Sequence, residues 1–151
     1  MTHSLPPLWR PVALLLLLML TLLLQACAIK MVSDYDEVTD QAVMALQRKT
    51  AAHLLGLQTV AGTSGCLYDK HKDFYEEAKA DVSAIEVRTA ALPKNELENQ
   101  QVQLLGSSLE SLEKLHQLAC LSPEQIKPLL IQFNVQFTSI LRFELARRRG
   151  Q

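Results

Sequence analysis

The chain has 151 residues, with 15 basic and 16 acidic side chains and a formal charge of −1 at neutral pH. That balance excludes the strongly basic face on which nonspecific nucleic-acid binding rests. Apolar residues make up 48% of the chain and glycine and proline are sparse, which excludes a disordered or low-complexity protein and predicts a folded core.

The first element is apolar. Arg10 precedes residues 12–24, in which Thr21 is the one polar residue. A basic start, a short apolar stretch and a small residue before the cut constitute a secretory signal peptide. The stretch ends in Leu24-Gln25-Ala26-Cys27. This tetrad resembles the lipobox of bacterial lipoproteins, which reads Leu, a variable residue, Ala or Gly, then Cys. The resemblance covers about the first 27 residues. It implies that residues 1–26 are removed and that Cys27 becomes the mature N-terminus, carrying a thioether-linked diacylglycerol and an N-acyl chain. Each buried CH₂ contributes about 0.8 kcal/mol, and stable anchoring takes more than one chain. Ala28 follows the cysteine; in lipoproteins of enteric-type bacteria an Asp there retains the protein at the inner membrane. The resemblance therefore implies the periplasmic face of the outer membrane of a Gram-negative bacterium. The competing reading is an uncleaved anchor, since residues 12–29 reach the lower limit of roughly 17 residues for a span.

Removal of residues 1–26 takes away Arg10 and no acid, so the formal charge moves from −1 to −2. Residues 27–36 form the lipidated cysteine and a tether. Residues 37–151 are long enough for one domain with its own core. Within 34–37, Asp-Tyr-Asp-Glu supplies an N-cap for a first helix over about 37–60. Val38, Ala42, Leu46, Leu54 and Leu57 lie on one face of it at three- and four-residue steps. Residues 61–65, Ala-Gly-Thr-Ser-Gly, break the chain.

A second helix is predicted over about 66–92, with Leu67, His71, Phe74, Ala78, Val82, Ile85 and Leu92 on its stripe and Pro93 as its stop. Asn95 caps a third over about 96–121. That helix carries one apolar row of Val102, Leu105, Leu109 and Leu112 and another of Leu97, Leu104, Leu115 and Leu118. Gly106 lowers its propensity or admits a close neighbour. Ser122, Pro123 and Gln125 compose a capping box with proline at the first helical position. The last helix runs from there through Ile126, Leu130, Phe133, Phe137, Ile140 and Leu141 to Arg147-Arg148-Arg149-Gly150. Four amphipathic helices with short loops predict an all-α protein, an antiparallel up-down-up-down four-helix bundle behind the signal peptide.

In that order the start of the second helix and the end of the third share one end. Cys66 opens the one and Cys120 closes the other. With Cys27 lipidated, these two remain as an even pair in an oxidising compartment, and a Cys66–Cys120 disulfide is predicted.

The search for chemistry yields little. His53, His71 and His116 fall on or beside apolar faces of different helices, toward the cysteine end. They are candidate metal ligands, yet no Glu-x-x-His or His-x-x-x-His pair accompanies them, and no metal or other cofactor is expected. Thr63-Ser64-Gly65 lacks the strand-turn-helix setting of a hydrolase elbow. Arg142, Arg147, Arg148 and Arg149 form a basic end able to touch anionic headgroups or an acidic partner. In the bundle model that end lies beside the tether. The sequence thus predicts a non-enzymatic, membrane-anchored envelope lipoprotein that acts as a protein-interaction or assembly module, with an envelope protein as partner. The alternative is a periplasmic small-ligand or metal carrier with its pocket near the three histidines.

Overall fold

The computed structural model describes residues 9–24 and 33–150, and the chain divides into two units, Met1–Met31 and Val32–Gln151. The first unit holds helix α1 (Trp9–Leu24). Val12, Leu14, Leu15, Leu16, Leu17 and Met19 are all exposed along it. Its 16 residues rise about 24 Å, against a hydrocarbon core of about 30 Å. Among the described residues no helix is long and apolar enough to cross a membrane. Cys27, with Gln25, Ala26 and Ala28, lies outside the described residues.

The second unit is a helical bundle of α2 (Glu37–Thr59), α3 (Lys72–Ala91), α4 (Glu96–Leu118) and α5 (Pro123–Arg149). The protein is all-α: among the described residues there is no strand. Helix α2 packs against α3 and α5, and α4 packs against the same two. Each helix contributes a row at three- and four-residue spacing. The rows are Val43, Leu46, Leu54 and Leu57; Tyr75, Ala78, Val82 and Ile85; Val102, Leu105, Leu109 and Leu112; and Ile126, Phe133, Phe137 and Ile140. Burial of such rows, not intrinsic propensity, supplies most of the stability of helices this length.

The buried row of α2 is displaced from the sequence expectation at its start. Val38 is exposed, and Thr39 and Val43 face inward, with Ala42 at the margin. On α3 it is Tyr75 that is buried, with Phe74 packed at the core's edge. On α4 the second expected row does not form: Leu97, Leu104 and Leu118 are exposed and only Leu115 packs on the core. A helix has one face toward the core, and Val102, Leu105, Leu109 and Leu112 occupy it.

Two boundaries differ as well. The second long helix starts at Lys72, and short 3₁₀ turns occupy Ser64–Cys66 and Tyr68–Lys70. Leu67 between them is extended (φ −68°, ψ 138°) and half exposed. Helix α4 stops at Leu118 because Ala119 is extended (φ −166°, ψ 162°), and Leu121 then folds into the core. The α5 capping box forms as the residues indicate: Gln125 N donates to Ser122 Oγ, and Ser122 N donates to Gln125 Oε1 at 2.9 Å. Gly106 marks the close approach of α3 and α4, since a Cβ there would stand 3.1 Å from Val82 Cγ1. Cys66 and Cys120 form a disulfide with a Cα–Cα separation of 5.4 Å, joining the first 3₁₀ turn to the segment after α4.

Candidate functional site

The turn that carries Cys66 also organises the histidines. Thr63 Oγ1 accepts from Gly65 N at 3.0 Å and shapes the turn. The Gly65 carbonyl accepts from His71 Nε2 at 2.9 Å, and the Cys66 carbonyl accepts from His116 Nε2 at 2.7 Å. Both imidazoles therefore carry their proton on Nε2. Tyr75 donates its hydroxyl to His116 Nδ1 at 2.7 Å. His53 stacks on Phe74 with ring centroids 3.6 Å apart and planes 7° from parallel. Its Nε2 lies 3.4 Å from the Tyr75 hydroxyl. The three imidazoles, from α2, the α3 N-cap and α4, stand with centroids 5.3, 5.5 and 6.3 Å apart.

The surroundings work against charge on His53, His116 and Tyr75. Burial, then the neighbouring His71 and His116, pushes the His53 pKa down to about 3. Burial also lowers His116, against the opposing pull of the Cys66 carbonyl. The Tyr75 hydroxyl is raised, chiefly by burial and then by Glu113. Glu113 itself accepts from Tyr68 at 2.8 Å and pairs with Lys79 at 2.9 Å. The histidines thus come together, with both His116 nitrogens and His71 Nε2 engaged by two carbonyls and a hydroxyl. Among the described residues no group of three or more His, Cys, Asp or Glu is arranged to hold a metal ion. The arrangement ties α2, α3 and α4 to the disulfide turn. A groove of about 340 Å³ lies elsewhere, between α3 and α4, lined by Lys79, Ser83, Glu86, Gln103, Ser107 and Glu110.

The four arginines separate. Arg142 is exposed on α5, beside a shallow depression of about 480 Å³ that Ile131, Val135 and Thr138 also line. Arg149 is exposed, and Arg148 lies 5.6 Å over the Tyr35 ring. Arg147 corrects the sequence expectation of a basic surface end: its side chain is 4% exposed and cannot reach a headgroup. Its Nη1 donates to Glu98 Oε2 at 2.5 Å and to Glu144 Oε1 at 2.7 Å, and its Nη2 donates to Asn95 Oδ1. Asn95 stands at the N-cap position of α4 without capping it, because its amide donates to Thr89 O and its oxygen also accepts from Ser33 Oγ.

The segment before α2 is bound to the same cluster. Asp36 N donates to Glu144 Oε2 at 3.0 Å, and the Asp36 carboxylate pairs with Arg88 of α3 and accepts from Thr39. Those bonds, led by Arg88, hold the Asp36 carboxyl down at about 2. The sequence reading passed over Glu98 and Glu144, although the signal was present. Glu98 stands four residues before Val102, and Glu144 and Arg147 continue the spacing of Phe133, Phe137 and Ile140. Comparison with protein-family models, with curated proteins and with solved structures finds no match for this chain.

Proposed function

We propose that the protein is an envelope lipoprotein, anchored through Cys27 at the periplasmic face of a Gram-negative outer membrane, whose helical domain is a non-enzymatic interaction or assembly module. The observation that carries this reading is the pairing of Cys66 with Cys120. It accounts for two of the three cysteines and leaves Cys27, which follows Leu24-Gln25-Ala26, as the odd one in the count. A disulfide suits an oxidising compartment, and a lone cysteine at that place suits acylation.

The domain in this reading is an antiparallel up-down-up-down four-helix bundle. Cross-helix contacts run in opposite numerical order along each packed pair and support it: Asp36–Glu144 and Gln47–Asn134 for α2 and α5; Asp36–Arg88 and Lys49–Glu77 for α2 and α3; Glu86–Gln103 and Lys79–Glu113 for α3 and α4; Gln101–Ser139 and Ser108–Gln136 for α4 and α5. The face offered to an envelope protein is the outer stripe of α5. Ile131, Val135 and Leu145 are exposed there, in step with Thr138 and Arg142. Alternating three- and four-residue steps are the pattern by which a second helix packs. The carrier alternative is less well supported, because hydrogen bonds within the protein occupy both His116 nitrogens and His71 Nε2, and among the described residues no group of three or more His, Cys, Asp or Glu is arranged to hold a metal ion.

Metabolic labelling with palmitate in a Gram-negative host tests the anchor. Label is expected on the wild type and absent from Cys27→Ser, which should leave the membrane fraction or stay unprocessed. A Cys27→Ser protein that still takes up palmitate, or one that is cleaved and still bound to membranes as the wild type is, would refute lipidation at Cys27. Crosslinking of the tagged, lipidated protein tests the module: a defined envelope protein is expected with the wild type and lost with Val135→Asp. Recovery of no specific partner would contradict the interaction reading.

A further inference from the structure

We propose that Glu98 and Glu144 bind one proton between them, forming a buried acid–carboxylate pair that, with Arg147, fastens the segment before α2 to the bundle. The proposal does not depend on lipidation. It begins with charge. Two carboxyls, each 0% exposed, meet on a single guanidinium that is 4% exposed, and both accept from the same Nη1. With both acids ionised, this buried cluster carries one uncompensated negative charge, which is strongly unfavourable away from water.

Among the described residues no further cation pairs with the two carboxyls. On the α3 side, Arg88 is paired with Asp36, and from α5 Arg148 is turned onto Tyr35, whose hydroxyl donates to Asp40. From α4 the cluster receives Asn95, and from the lead-in segment the Asp36 amide and Ser33. Two atoms of the cluster, Glu98 Oε1 and Arg147 Nε, are buried with no hydrogen-bond partner. A shared proton removes the excess charge and makes one carboxyl a donor, which bears on Glu98 Oε1; Arg147 Nε is itself a donor and gains nothing from it.

The electrostatics agree in direction. Burial is the main cause that pushes the Glu144 carboxyl up to about 7; the Asp36 amide opposes it, the adjoining Glu98 carboxyl adds to it, and Arg147 subtracts. A carboxyl raised on folding stabilises the folded state fully below its ordinary value of 4.5, and that stabilisation is lost as pH rises through about 7. Within that window one retained proton weakens folding by up to about tenfold per pH unit.

The test is a carboxyl ¹³C NMR titration of the full chain in detergent micelles, with glutamate labelled and the two resonances assigned through Glu98→Gln and Glu144→Gln. The expected result is that the Glu144 carboxyl loses its proton near neutrality, and that Glu98→Gln gains urea-unfolding stability relative to the wild type as pH rises from about 4.5 to 7, a difference in which the His53 contribution common to both cancels. If either variant fails to fold, assignment by through-bond correlation in the wild type leaves the titration decisive. Titration of Glu144 in the ordinary carboxylate range, near 4.5, would overturn the proposal.

Discussion

His53 is held neutral by its burial against Phe74 and beside two other imidazoles. Its folded pKa is below its unfolded value of 6.5, so the unfolded chain takes up the proton first as pH falls. The stability it contributes is complete above about 6.5 and is lost as pH drops toward about 3, at up to about 1.4 kcal/mol per pH unit. Urea unfolding of the wild type and of His53→Phe across that window should show the variant with the shallower acid loss. Equal slopes would mean that the imidazole is not neutral in the fold. His53 and the depressed Asp36 carboxyl both contribute to the acid loss, and between about pH 4.5 and 6.5 the Glu144 proton opposes His53. The histidine grouping was legible in the sequence because each residue sat beside an apolar stripe. The Glu98–Glu144–Arg147 cluster was not, because charged residues at core spacing were read by type instead of position, and a terminal Arg run resembles a solvated tail.

Among the elements, α5 was the most legible and the stretch before α3 the least. Ser122, Pro123 and Gln125 act over one helical turn, so the sequence alone specifies that helix start. Ser122→Ala removes the acceptor for Gln125 N and should cost about 1 kcal/mol of unfolding free energy, read as a lower urea midpoint at unchanged slope. No loss would show that Gln125 alone caps the helix. The 3₁₀ turns at 64–70 could not be read in that way. They exist because the Gly65 and Cys66 carbonyls accept from His71 and His116 instead of from helical amides, and His116 lies 50 residues away. A local pattern does not encode a long-range acceptor. The exposed Leu97, Leu104 and Leu118 teach a related lesson: leucine count overstates burial when a helix has one inward face.

For the whole molecule, the disulfide joins residues 54 apart and holds the turn on which two imidazoles depend. Its reduction should lower stability by about 4 kcal/mol in the chain-entropy model and increase the acid sensitivity of the histidine end. Unfolding curves with and without reductant measure both, and coincident curves would show that packing alone holds that end. The opposite end is fastened by Arg147 and the lead-in segment, so each end of the helical unit has its own lock. Intact-mass and N-terminal peptide mass spectrometry of the protein purified from Gram-negative membranes tests the proposed lipidation of Cys27. The expected product is a mature chain beginning at Cys27, heavier than its residues by a diacylglyceryl group and an acyl chain. A membrane-derived chain that retains residues 1–26, or one that begins at an unmodified Cys27, would contradict it.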